Sequence, residues 1–231
     1  MDTLKLPNHG NTKIIAHRGL SGLYLENTLS AFKAAGKLSF YGIESDVHVT
    51  KDGKFIIFHD DNTKQLAKIN LKIEETDYKT LRLLPIKFHR MPSLREYIMC
   101  CKNFNKIAVL ELKNPMSKES IAGIVEEISD FGYIEQTVFI SFSQENLFYI
   151  REIIYNQPVQ FLTKKFDYST LDFLKKHKFD LDIEHTALNK SVIEICHGNG
   201  IKVNCWTVNK LSDAARLVDY GVDYITTNII E

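Results

Sequence analysis

The run KIIAHRG (residues 13–19) sets the pattern for the whole chain. Three apolar residues followed by a glycine describe a buried strand and its exit. This strand exits directly into His17 and Arg18, an ionisable pair placed where loops carry chemistry. Similar apolar runs recur at Gly42–Val47, Ile107–Leu112, Val138–Ser141, Val159–Leu162, Phe179–Ile183, Ile201–Cys205 and Tyr224–Thr226. Amphipathic segments lie between them, among them TLSAFKAAGKL (28–38), SLREYIMCCKNF (93–104), SIAGIVEEISDFG (120–132) and LSDAARLVDYG (211–221), and several stop at glycine. Eight strands alternating with helices in 231 residues is the arithmetic of an α/β TIM barrel, (β/α)8. A doubly wound open sheet shares that alternation, but no GxGxxG or GxxxxGK[ST] loop follows any strand.

The rhythm breaks twice. VHVTKDGKFIIFHD (47–60) reads as two β runs joined at Asp52-Gly53, a hairpin raised on strand 2. From Asp61 to about Met91 the chain is polar and lysine-rich, with one short helical candidate, EETDYKTLRLL (74–84). A connection of that length on a compact scaffold is expected to be a functional cover segment, about 61–91. Its lysines, Lys64, Lys68 and Lys72, would favour small or anionic leaving groups. No repeat, linker or low-complexity run divides the chain, so residues 1–231 read as one domain.

Lys plus Arg and Asp plus Glu are both 29, so the net charge is zero. That balance offers no general nucleic-acid or anionic-membrane surface. The N-terminal residues contain no apolar stretch of signal-peptide length, and no window is apolar enough for a membrane span. The cysteines, Cys100, Cys101, Cys196 and Cys205, fit neither a zinc knuckle nor a disulfide framework. They read as reduced, mostly buried thiols of a cytoplasmic protein.

In a TIM barrel the strand C-termini build the active site. Glu44 and Asp46 stand two apart on strand 2, hence on one side of it. Two carboxylates so placed repel each other unless positive charge sits between them, which a hard divalent cation supplies. A surface Asp46 and a lysine-paired Glu44 are the plainer alternative. Glu111 and Lys113 repeat the two-residue spacing at the end of IAVLELK (107–113), and a structural ion pair would also account for them. Burying all of these with His17 at neighbouring strand ends, without a site to use them, is costly. The hairpin returns His59 over the same mouth. Three carboxylates, two histidines, an arginine and a lysine suit phosphodiester cleavage.

The ordered set HRG (17–19), ENT (26–28), ExD (44, 46), TKDG (50–53), HD (59–60), PSL (92–94), ExK (111, 113), SF (141–142) and WTVN (206–209) resembles the glycerophosphodiester phosphodiesterases, a TIM-barrel family related to the phosphatidylinositol phospholipases C. The resemblance runs from residue 13 to about 228. It implies one divalent cation (Mg²⁺ or Ca²⁺, with Mn²⁺ also usable) on Glu44, Asp46 and Glu111, and His17 and His59 as the acid–base pair. It further implies Arg18 and Lys113 as phosphate holders, Glu26 orienting Arg18 or lining the site, and Phe142 and Trp206 as an apolar wall against glycerol. Asn27 is expected to cap a helix starting at Thr28. The chain departs from the family pattern at ITTN (225–228), where Asn228 replaces an aspartate, and in DDNTKQLAKIN (60–70), which lacks the usual arginine. His48 is a minor candidate near the metal, while His9, His89, His177, His185 and His197 match no motif.

The implied activity is hydrolysis of a small-molecule glycerophosphodiester, such as glycerophosphocholine or glycerophosphoethanolamine, to glycerol 3-phosphate and an alcohol. A lysophospholipase D-type enzyme and a non-catalytic phosphate-binding barrel are the alternatives. The first would need an apolar groove and membrane access; the second would be marked by loss of a histidine or metal carboxylate, and none is lost.

Overall fold

The computed structural model describes residues 2–231. Eight parallel strands form a closed barrel: β1 (Lys13–Ala16), β2 (Gly42–Val49), β4 (Ile107–Leu112), β5 (Thr137–Ser141), β6 (Val159–Thr163), β7 (Asp180–Glu184), β8 (Val203–Trp206) and β9 (Tyr224–Thr227). Hydrogen bonding runs β1-β2-β4-β5-β6-β7-β8-β9 and closes from β9 back to β1, with Ile15 opposite both Gly42 and Thr226. β3 (Phe55–Ile57) pairs antiparallel with β2, Val47 opposite Ile57, and forms the expected hairpin. Gly53 at its tip has φ +71°, a conformation that excludes most side chains.

The helices outside the barrel are amphipathic for a plain reason: one face lies on the sheet. α1 (Leu29–Gly36) buries Ala31, Phe32 and Ala35, and α4 (Lys118–Asp130) buries Ile121, Ile124, Val125 and Ile128. α3 (Leu94–Asn103) begins with a reciprocal capping box, in which Ser93 Oγ accepts from the Glu96 amide and the Glu96 carboxylate accepts from the Ser93 amide. Alternation along the strands separates two apolar regions. The large one, between strands and helices, includes Phe32, Ile43, Leu110, Phe139 and Leu181. The smaller one fills the barrel with Ile15, Val109, Ile140 and Leu162.

Residues 61–91 hold more structure than their polarity suggests. They contain a 3₁₀ turn at Ile73–Glu75 and α2 (Tyr78–Leu83). Ile73, Leu81, Leu84, Ile86 and Met91 join Ile56 and Phe58 of the hairpin in a separate buried cluster. All four cysteines are buried, and no helix among the described residues is long and apolar enough to cross a membrane.

Candidate active site

The strand ends deliver the charged residues to one mouth. β1 ends at Ala16, and the His17 amide still donates to the Thr227 carbonyl (2.8 Å), so its ring is fixed at the rim. Arg18 then turns into left-handed backbone at φ +53°, a strained conformation for a non-glycine residue. Gly19 follows at φ +77°, where a Cβ would lie 2.7 Å from the Ala31 backbone carbon. The tight turn lets the Arg18 amide donate to Glu44 Oε2 (2.8 Å) while Arg18 Nη1 donates to Glu26 Oε1 (2.9 Å).

Glu44 and Asp46 project from β2 into the barrel, and Asp46 stands in register with Glu111 on β4. Oxygens of Glu44, Asp46 and Glu111 lie within 4.8 Å of one another, and all three residues are buried. Lys113 Nζ is 3.0 Å from Glu111 Oε1 and 3.6 Å from Asp46 Oδ1; Arg18 Nε is 3.6 Å from Asp46 Oδ2. Burial and the Asp46 charge push Glu44 well above the usual carboxylate range, and the same two causes raise Glu111. Asp46 moves the other way: burial opposes its charge, but Lys113 and Arg18 hold it low. Asp46 Oδ1 and Arg18 Nε are buried without hydrogen-bond partners among the described residues. Three hard oxygen donors in mutual repulsion, one of them orphaned, are a donor set that fits a divalent cation.

The two histidines are held differently. His17 Nδ1 is 2.7 Å from Asn228 Oδ1, so Nδ1–H donates to the amide and Nε2 is left unprotonated, 4.0 Å from Glu44 Oε2. Ser21 Oγ steadies this pair, 2.7 Å from the His17 carbonyl and 2.9 Å from Asn228 Oδ1. Burial, reinforced by the Arg18 charge, lowers His17 to about 4. His59, two residues beyond β3, donates from Nδ1 to Asp60 Oδ1 (2.7 Å) and leaves Nε2 for the cleft.

These residues share one cleft of about 200 Å³. His17, Arg18, Glu44, His59, Glu111 and Lys113 line one side; Ile140, Phe142, Leu162 and Trp206 line the other. Phe142 and Trp206 meet edge to face, ring centroids 5.8 Å apart. His17, Arg18, Glu44, His59, Glu111, Lys113, Phe142 and Trp206 therefore share the cleft, with Asp46 and Glu26 paired to Arg18 beside it.

Two expectations are corrected. Thr28, not Asn27, caps α1: its Oγ1 accepts from the Ala31 amide. Asn27 takes φ +52°, tolerated by asparagine, and turns inward. Its Nδ2 donates to Asp46 Oδ2 (2.8 Å) and its Oδ1 accepts from Ser45 Oγ (2.8 Å), so it is a direct support of the acidic cluster. His48 does not face the metal ligands; its ring lies between Glu74 Oε1 (3.2 Å) and the His59 carbonyl (3.3 Å). Lys164 and Asp182 also line the cleft, and sequence reading missed both. No residue of 61–91 lines it; Lys64 borders a neighbouring groove beside His59 and Lys113.

Residues 17–231 match the Glycerophosphoryl diester phosphodiesterase family. The chain belongs to that family. It is a phosphoric diester hydrolase on a TIM barrel. Among similar proteins, YhdW of Bacillus subtilis (strain 168) is 30% identical over 93% of each chain. A glycerophosphodiester phosphodiesterase of Caldanaerobacter subterraneus subsp. tengcongensis is 26% identical over 94% of each. An Oleispira antarctica phosphodiesterase, solved in complex with the product sn-glycerol-3-phosphate, superposes with a TM-score of 0.86 at 24% identity, covering 94% of this chain and 92% of that one. The family match spans every barrel strand after β1 and includes the buried acidic cluster, whose three carboxylates could hold a metal ion.

Proposed function

We propose that this enzyme hydrolyses glycerophosphodiesters with small head groups, such as glycerophosphocholine or glycerophosphoethanolamine, to glycerol 3-phosphate and an alcohol. One divalent cation, Mg²⁺ or Ca²⁺ with Mn²⁺ as a substitute, is held by Glu44, Asp46 and Glu111. The observation that carries the reading is the buried acidic triangle, faced by Arg18 and Lys113 and flanked by two histidines, each with Nδ1 already engaged. The glycerol 3-phosphate bound by the Oleispira protein supports the choice of product.

When bound, the cation supplies positive charge to a phosphoryl oxygen and acidifies a hydroxyl beside it. Arg18 and Lys113 offset charge on the remaining phosphoryl oxygens, Arg18 held by Glu26 and Lys113 by Glu111. His17 Nε2 takes the proton of the attacking hydroxyl, either that of water, which gives glycerol 3-phosphate directly, or the glycerol 2-hydroxyl, which expels the alcohol and leaves a cyclic phosphate that water then opens to glycerol 3-phosphate. A neutral ring held by the Asn228 amide suits a base. His59 Nε2 gives a proton to the leaving alcohol, with Asp60 fixing the ring. Phe142 and Trp206 pack against the carbon face of glycerol. The enzyme acts as one domain on a free substrate in the cytoplasm, a placement in keeping with its four buried thiols.

The test is release of glycerol 3-phosphate across a panel of diesters, with and without chelator. Turnover should stop with EDTA and return with Mg²⁺, Mn²⁺ or Ca²⁺. Full turnover in verified metal-free protein, or none on any glycerophosphodiester with cation present, would overturn the reading.

A further inference from the structure

The wall of the cleft opposite the acidic cluster carries two polar atoms that the reaction above leaves idle. Asp182 stands on β7, which lies across the closed barrel from β2, between Leu162 of β6 and Asn204 of β8 in register. It is 2% exposed, and it lines the same cleft as His17, Arg18 and Lys113. Its Oδ1 has no hydrogen-bond partner among the described residues. Its register neighbour Asn204 is engaged elsewhere: Thr226 Oγ1 donates to Asn204 Oδ1 (3.2 Å), and Asn204 Nδ2 donates to Gln160 Oε1 (3.1 Å). Two residues beyond Asn204 on the same strand face, Trp206 Nε1 is likewise buried and without a partner.

An orphaned acceptor and an orphaned donor on one wall are unusual, because buried polar groups are nearly always satisfied. Each is also costly, and an apolar residue in the place of Asp182 would remove the cost. A hydroxyl-bearing ligand satisfies both kinds of atom, since a hydroxyl donates one hydrogen bond and accepts others. A purely apolar occupant satisfies neither.

We propose that the Asp182 carboxyl group and the Trp206 indole N–H form a hydroxyl-binding subsite that reads the free hydroxyls of the substrate's glycerol moiety. The subsite rests on the function proposed above and narrows its substrate class to fully deacylated glycerophosphodiesters. Asp182 accepts from a glycerol hydroxyl; Trp206 Nε1 donates to a hydroxyl oxygen; Ile140, Leu162 and Phe142 take the carbon face. A site built to hydrogen-bond a substrate hydroxyl discriminates strongly, because an analogue lacking it leaves the protein's buried groups unpaired. An acyl chain esterified to glycerol removes one of the two hydroxyls that the wall reads.

The experiment compares glycerophosphocholine with bis(4-nitrophenyl) phosphate, a diester with no hydroxyl, in the wild-type enzyme and in Asp182→Leu, Asp182→Asn and Trp206→Phe. For glycerophosphocholine, Asp182→Leu and Trp206→Phe should lower kcat/KM by about 10²-fold or more, with Asp182→Asn intermediate because it keeps an acceptor oxygen. For the aryl diester, the two Asp182 changes should stay within about threefold. Should Asp182→Leu fail to fold, the near-isosteric Asp182→Asn and Trp206→Phe still decide the matter. Equal losses on both diesters, or no loss on either, would overturn the subsite while leaving the proposed function standing. A wild-type protein that releases no glycerol 3-phosphate would overturn that function and the subsite together.

Discussion

Two clusters of charge, the barrel mouth and the Arg82–Glu96 pair, are built on opposite plans. Glu96 is filled from every side: Arg82 Nη2 donates to one oxygen (3.0 Å) and Arg82 Nη1 to the other (2.6 Å), while the Ser93 amide adds a third bond (2.9 Å). Arg82 Nη1 also reaches the Met91 carbonyl, so the pair ties α2 and the end of the 61–91 segment to the cap of α3. The mouth buries its acids more deeply and satisfies them less. Glu44 and Glu111 are raised by burial and like charge, and Asp46 Oδ1 is orphaned. Paired charges hold structure together; charges left in tension mark where a ligand completes the set.

Substitutions at the two places should therefore act on different observables. The largest effect is expected at the mouth. Glu44→Gln should cut kcat/KM by about 10³-fold or more, an electrostatic loss of the kind that removal of a preorganised charge produces. The unfolding midpoint of the chelated protein should stay level or rise, because one repelling carboxylate is gone. A large fall in stability would erase the contrast between the clusters. His17→Ala and His59→Ala come next, each lowering kcat by roughly 10²–10⁴ while the fold survives. Near wild-type turnover in either variant would remove that ring from the reaction.

Glu96→Ala should reverse the signature, losing about 1–2 kcal/mol through the missing cap and ion pair while kcat stays within about twofold. Its pH dependence has a definite sign. Burial opposes the Glu96 charge, but the Arg82 and Ser93 hydrogen bonds hold its folded-state value below the ordinary 4.5. The stability it contributes is thus complete above that ordinary value and fades as pH falls through the lower, folded-state one. Urea melts of wild type and variant should converge in acid and diverge toward neutrality; a constant gap would contradict the assignment. The smallest effect belongs to Lys72→Ala. Lys72 pairs with exposed Glu75 outside the cleft, where solvent screens the pair, so neither the unfolding midpoint nor kcat/KM should move measurably. A change in preference between head groups would bring the 61–91 segment into substrate selection.

The parts legible in the sequence were those that repeat with a period. Strand alternation gave the barrel, and the two-residue spacing of Glu44 with Asp46 and Glu111 with Lys113 placed four charges at one mouth. The same spacing runs through DLDIE (180–184), but no lysine, arginine or motif follows Asp182 to distinguish it from an exposed acid. Asn27 is hidden from the sequence for a different reason. Its left-handed backbone turns the side chain away from the helix, which local capping rules do not anticipate. In the 61–91 segment charge masks the core, since Ile73, Leu81, Leu84, Ile86 and Met91 sit on a chain that turns repeatedly and share no period. His48 shows the same limit: its partners, Glu74 and the His59 carbonyl, are brought to it by the insert and the hairpin.

The most direct measurement is thermal unfolding of chelator-stripped protein titrated with Mg²⁺ or Ca²⁺, alongside calorimetric counting of bound ions. A cation that binds only the folded mouth must raise the midpoint as its concentration passes the dissociation constant. The midpoint should rise, saturating at about one ion per chain for a single three-carboxylate site, and the rise should be lost in Glu111→Gln. No rise at millimolar cation, or an equal rise in the variant, would contradict the claim that these buried carboxylates are held in tension for an ion.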